Sequence, residues 1–174
     1  KRADALFVVS VPRQHLGRAH LLGMQKRRKE VRERLDECGL HVHNFCVVDP
    51  DLVSLDASRR NKALDRFKIG ADVADYLGAE TLHLASYAPP VRYVSARPYS
   101  LGEEGGYAFA GSTLVRIPRG FDWRKVWKAL VRSCQACADV AARHRKTVLM
   151  EPRVGEVICS VDSMLRLIEH VERP

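Results

Sequence analysis

The sequence predicts an α/β fold built on a parallel sheet, and three observations point to it. Short β-branched or aromatic runs alternate with long helical ones, in the order β-α-β-α-β, a long irregular stretch, then α-β-α. Strict alternation implies right-handed crossovers that leave helices between parallel strands. The run Val148–Met150 passes straight into Glu151 and Pro152, which reads as a strand buried on both faces with a carboxylate at its C-terminal end. Finally, neither G-x-G-x-x-G nor a P-loop follows any strand. That removes support from an open nucleotide-binding sheet and favours a (β/α) barrel, which supports catalysis at its strand C-termini without such a loop.

Each element follows from its residues. Ala5–Val11 (ALFVVSV) is a strand ended by Pro12. Arg13–Gly23 reads as a loop, and Met24–Cys38 as a helix with Val31 and Leu35 at i, i+4 and Gly39 after its end. His41–Val48 returns to strand character and is closed by Asp49-Pro50-Asp51. Asp56 or Ser58 caps the next helix, in which Leu64, Phe67, Ala71, Ala74 and Leu77 keep helical spacing until Gly78. Glu80–Tyr87 is a strand ended by Ala88-Pro89-Pro90, and residues 91–120 form an irregular stretch rich in Gly, Pro, Ser and Tyr. Asp122 caps the helix Trp123–His144; after the strand ending in Glu151, Ser160 caps a last helix carrying Met164, Leu165, Ile168 and Val171.

The chain has 174 residues, 46% of them hydrophobic, enough for one substantial core and for a single domain over 1–174. No apolar run reaches the roughly 20 residues of a spanning helix. The basic N-terminus is too short in its apolar part for a signal peptide. The five cysteines, odd in number and scattered, argue for a reducing compartment, so a cytoplasmic location is expected. Cys134 and Cys137 form C-x-x-C on the apolar stripe of a helix, where buried thiols are expected rather than a zinc or redox motif. The net charge of +8 is compatible with a polyanion partner. Yet Lys26–Lys29, Arg32 and Arg34 interleave with Glu30, Glu33, Asp36 and Glu37 at pairing distance, which reads as a solvated helical face.

Glu151 has two readings from position alone: a metal ligand or base at the mouth of the sheet, or a carboxylate pairing with a neighbouring Arg or Lys. His83 lies between Leu82 and Leu84, which face the helices, so its ring points inward as a core histidine or a substrate contact. His41 and His43 share a face by period two and, lacking a third ligand, are expected to be structural.

Two segments carry a resemblance. ADVADYLGAETLHLASYAPP resembles the "LGA, then a strand" signature of the xylose isomerase-like sugar isomerases and epimerases. FDWRKVWKALVRSCQACADVAARHRKTVLMEPRVGEVICSVDSMLRLIEHV resembles that family's next unit: a Trp-bearing helix start, a strand ending in Glu-Pro and a Met-Leu-x-Leu-Ile helix. The resemblance implies a partial (β/α)8 TIM barrel, with four parallel strands alternating with helices that correspond to strands two to five of the parent barrel. Since a whole barrel takes about 250 residues and the chain begins without Met, a fragment truncated at both ends is expected. Open edges of such a sheet predict instability or edge-to-edge self-association.

Within that family, Glu151 matches the carboxylate ending the fifth strand, the first of four ligands to a divalent metal; an Asp, a His and a Glu end the following three strands. The resemblance implies Mn²⁺ or Mg²⁺, with Co²⁺ or Zn²⁺ tolerated, a sugar or sugar phosphate as substrate, and neither nucleic acid nor membrane as partner. Glu151 is the candidate catalytic and metal residue. Glu156, Arg153, Ser86, Tyr87 and His83 are candidate substrate contacts, and Tyr87, Arg92, Tyr93 and Tyr99, on the long loop, are candidates for a lid or a sugar-stacking wall. The alternative is a metal-dependent phosphodiesterase on DNA resembling endonuclease IV. Against it, Ala85 or Ser86 stands where those relatives carry a metal-binding His. A catalytically inactive partial barrel is the third reading.

Overall fold

The computed structural model describes residues 3–7, 18–94, 99–101, 107–109, 115–153 and 155–173. In chain order the elements are β1 (Ala3–Phe7), α1 (Arg18–Glu37), β2 (Leu40–Cys46), a 3-10 turn (Pro50–Val53), α2 (Ala57–Tyr76) and β3 (Thr81–Ala85). Four short strands follow, β4 (Arg92–Tyr93), β5 (Tyr99–Leu101), β6 (Tyr107–Phe109) and β7 (Val115–Arg116), then α3 (Trp123–Arg143), β8 (Thr147–Glu151) and α4 (Val161–Val171). The main sheet is parallel in the order β1-β2-β3-β8, so strands successive in the βα alternation are sheet neighbours. This is the connectivity of a TIM barrel, held open here among the described residues with β1 and β8 as edges.

Register separates two faces. Phe45, Leu82 and Val148 align on one, and Cys46, His83 and Leu149 on the other. The first face packs against the helices: Phe45, Phe67, Leu82, Leu130 and Ile158 are among the largest fully buried side chains. Each contributes roughly 1.5–3 kcal/mol by leaving water. Pairing advances from Ala5 to Phe7 on β1 while β2 advances from Val42 to Phe45. That irregularity lets Val42 and Phe45, three apart, both enter the core. Helix α2 can approach β2 closely because Gly70 lacks a side chain; a Cβ there would lie 2.8 Å from a Val47 methyl. Asp122 accepts from Arg124 and Lys125 N–H groups, and Ser160 with Ser163 forms a reciprocal cap on α4.

Several expectations need correction. Helix α1 begins at Arg18, so Gly23 lies inside it and the expected loop does not extend past residue 17. Strand β1 starts at Ala3, and Val8–Val11 lie outside the described residues. Strand β8 is not buried on both faces: its burial alternates, with Leu149 39% exposed, because β8 is a sheet edge whose inner face is uncovered by described residues. Residues 91–120 are not wholly irregular, since β4 pairs with β7 and β5 with β6, both antiparallel. The basic face of α1 is solvated and matched as expected, through Arg27–Glu30, Lys29–Glu33, Arg32–Asp36 and Arg34–Glu37. No described helix is long and apolar enough to cross a membrane.

Candidate active site

Strand polarity brings Ala85 and Glu151, paired in register, to the same end of the sheet. The Glu151 side chain is half-exposed there, on the face it shares with His83. Two nitrogen donors flank its Oε2: His83 Nε2 at 3.7 Å and Arg153 Nε at 3.6 Å. Neither contact is a hydrogen bond at that length, and the carboxylate accepts none from the described residues. Arg153 Nε is itself shut from water with no hydrogen-bond partner among them, a state that costs free energy unless something else approaches. Arg153 is mostly covered, and its Nη2 holds Glu156 Oε1 at 3.0 Å.

Glu156 has the opposite character. Its Oε2 accepts from the Ser86 hydroxyl and the Tyr87 N–H, each at 2.9 Å, and its side chain is only 12% exposed. Ser86 is fully buried and also exchanges hydrogen bonds with the Ile158 N–H and carbonyl. Tyr87 takes a left-handed backbone (φ 59°), which a non-glycine residue adopts at a cost. The contacts around it explain how it persists. Its N–H is bound to Glu156, its carbonyl accepts from Val157, and its hydroxyl donates to the Val47 carbonyl and accepts from the Asp49 N–H. Burial drives the phenol's pKa well above its ordinary value. Tyr87 is thus no lid: the ring belongs to the core. The side chains of Tyr93 and Tyr99 lie outside what the structure describes.

His83 is oriented by Asn44, whose Nδ2 lies 3.3 Å from His83 Nδ1. With that amide nitrogen donating, Nδ1 accepts and the ring proton sits on Nε2, toward Glu151. Burial lowers the His83 pKa; the Glu151 charge opposes that shift and Arg153 reinforces it. Cys46, in register with His83, has its thiol pKa raised, chiefly by burial. Asn44 was invisible as a functional residue in sequence, although an Asn inside HVHNFCVV is a signal of a buried polar role. Asp49 was missed likewise. It is buried, bound to the Arg66 guanidinium and caps the 3-10 turn. His41 and His43 both hold the Glu80 carboxylate, at 2.8 and 2.7 Å, at the opposite end of the sheet from Glu151.

Beside this cluster lies a cleft of about 440 Å³, bounded by the 3-10 turn, Arg59, the Tyr87–Val91 segment and Glu156. Its floor is the Glu156–Tyr87 junction, so the cleft and Glu151 share one rim through Arg153. A hard carboxylate oxygen suits a divalent cation. The described residues contain no group of three or more His, Cys, Asp or Glu able to hold a metal ion. Within them Glu151 is one ligand and not a site.

Comparison with known proteins gives a consistent picture. The family model described as xylose isomerase-like TIM barrel matches residues 7–174. The 3-keto-D-glucoside 4-epimerase of E. coli superposes with a TM-score of 0.64 at 15% identity, over 97% of this chain and 64% of that one. A xylose isomerase domain protein from Planctomyces limnophilus superposes at 0.55 with 19% identity, over 98% and 51%. The D-allulose 3-epimerase of Methylomonas sp., in complex with D-allulose, gives 0.59 at 18%, over 84% and 44%. Such identities establish a shared fold. The chain spans 44–64% of these proteins' lengths. No curated protein matches it in sequence.

Proposed function

The chain belongs to the xylose isomerase-like TIM barrel family, and from that premise we propose that it carries part of the active site of a divalent-metal-dependent sugar or sugar phosphate isomerase or epimerase. The single observation behind this reading is the contrast between two neighbouring glutamates. Glu156 is saturated by Ser86, Tyr87 and Arg153. Glu151, at the strand end, keeps its oxygens free of hydrogen bonds from the described residues, while the nitrogens of His83 and Arg153 stand at 3.6–3.7 Å.

A carboxylate so placed is suited to bind a cation or to accept a proton. Glu151 is the metal ligand and base, with further ligands supplied, as in the family, by strands that follow. Mn²⁺ or Mg²⁺ is the metal favoured by oxygen donors, Co²⁺ or Zn²⁺ being alternatives. A metal held by Glu151 and further ligands would supply Lewis-acid polarisation of a keto sugar's carbonyl, which would make the adjacent C–H more acidic. The chain's own residues do the rest. Glu151 takes up the proton. His83, its Nε2 proton toward Glu151, and Arg153 donate to substrate oxygens and hold the negative charge. Ser86, Tyr87 and Glu156 position the floor of the cleft on which the sugar rests. A soluble, cytoplasmic enzyme is consistent with five free thiols.

The test uses the full-length protein. Metal content by mass spectrometry and deuterium uptake from D₂O into a panel of ketoses are measured for the wild type and Glu151→Gln. Loss of both bound metal and exchange in the variant supports the reading. Unchanged metal content and exchange would remove Glu151 from it. A DNA phosphodiesterase is the second reading, and cleavage of an abasic-site duplex in place of ketose exchange would favour it.

A further inference from the structure

A second concave surface lies between α3 and α4, away from Glu151. This groove, of about 330 Å³, is lined by Trp123, Arg124, Trp127, Lys128, Arg166 and His170. It combines aromatic and cationic groups. On α1 the cations are matched by carboxylates one turn away. In the groove, the side chains of Arg124, Lys128 and Arg166 form no ion pair or hydrogen bond with any described residue. Arg124, Lys128 and Arg166 thus line one hollow whose described lining holds no carboxylate.

The aromatic groups are held in place. Trp127 donates its indole N–H to His170 Nδ1 at 2.7 Å, with the rings edge to face (79°). Since indole nitrogen only donates, Nδ1 accepts, and His170 carries its proton on Nε2 as a further donor. Trp123 leans on Phe121 at 6.3 Å between centroids, yet 46% of its surface is exposed. An indole left half in water beside unpaired cations is suited to a ligand that is both planar and anionic.

We propose that this groove binds a nucleoside monophosphate, with the base stacked on Trp123 and the phosphate taken by Arg124, Lys128 and Arg166. The hollow is the size of one small ligand. A sugar phosphate would use the cations and leave the indole face poorly covered. The proposal does not rest on the reading of Glu151, although Val157, which also lines the groove, donates its N–H to the Tyr87 carbonyl.

Both tryptophans of the chain line the groove, so fluorescence excited selectively at tryptophan reports occupancy. The titrants are AMP, adenosine, inorganic phosphate, ribose 5-phosphate and an oligoadenylate. AMP is expected to quench saturably and to weaken as salt rises. Adenosine and ribose 5-phosphate should each bind at least about tenfold more weakly, the scale of one charge-assisted contact or one stacked ring. Arg166→Glu and Lys128→Glu, surface changes checked for unaltered circular dichroism, should each raise the AMP midpoint by about tenfold or more. Because tryptophan is the reporter, Trp123→Ala is followed instead by broadening of the AMP phosphorus resonance, which it should abolish. Absence of saturable quenching by AMP overturns the proposal. So does equal binding of ribose 5-phosphate, binding of oligoadenylate alone, or an AMP midpoint unmoved by both charge reversals.

Discussion

Glu156→Ala tests the junction that shapes the candidate site. In the wild type one carboxylate, 12% exposed, accepts from the Tyr87 N–H and the Ser86 hydroxyl and pairs with Arg153 Nη2 at 3.0 Å. Removing it leaves the Tyr87 N–H without its acceptor while φ at that residue remains left-handed. Ser86 retains the Ile158 N–H and carbonyl, so its loss is partial. Arg153 keeps only the longer contact to Glu151 at 3.6 Å. A charged hydrogen bond contributes about 1.5–3 kcal/mol, and leaving a covered cation unpaired adds to that, giving about 3–4 kcal/mol in total. For a chain of this size the fall in Tm is about 6–16 °C. Thermal unfolding followed by far-ultraviolet circular dichroism, at low protein concentration, measures that fall, and urea unfolding the loss of free energy. Glu156→Gln keeps an acceptor oxygen and should lose roughly half as much. A Glu156→Ala variant within about 0.5 kcal/mol of wild type would refute the reasoning, as would a Gln variant as damaged as the Ala one.

Four further outcomes follow from the same structure. Lys146 holds Asp75 below the usual carboxylate range, mainly by a hydrogen bond, so that group's stabilisation is present above about pH 3.8 and lost as pH falls through the lowered value; acid unfolding of Asp75→Asn should be flatter there. His83 is held mainly by burial below its ordinary 6.5, so the unfolded chain binds the proton first. Stability should fall as pH drops below about 6.5, and the imidazole's NMR titration should show a midpoint under that value. Cys38 and Cys159 are exposed, whereas Cys46, Cys134 and Cys137 are buried, with Cys134 pushed up to about 12 by desolvation; a thiol reagent should modify two groups in the native protein and three more only in denaturant. The uncovered edge and face of β8 should make the chain's sedimentation coefficient rise with concentration, and Leu149→Lys should suppress that rise.

The legible part of this protein was local. Alternation of strand and helix periods, the caps at Asp56, Asp122 and Ser160, and the glycine that ends α2 with φ +74° all act within a few residues of their own position, so periodicity and turn chemistry suffice to read them. The placement of Glu151 at a strand end was legible for the same reason. The boundary of α1 was not, because its first turns carry no capping signal and Gly23 reads as a breaker until the surrounding helix forms.

Which glutamate is free and which is saturated was beyond the sequence. Glu151 and Glu156 stand five positions apart in one turn-rich stretch, but their partners Ser86 and Tyr87 lie about 70 residues away and meet Glu156 only once β3 and β8 pair. The same holds for Tyr87, which reads as a loop aromatic and proves to be core, and for β8, which reads as doubly buried and proves to be an edge. Hydrophobic pattern records how apolar a residue is; sheet order decides whether anything lies against it. The sequence by itself therefore determined the alternating parallel architecture and the carboxylate at its mouth. Tertiary structure alone decided that carboxylate's availability, because hydrogen-bond saturation depends on groups brought together from distant parts of the chain.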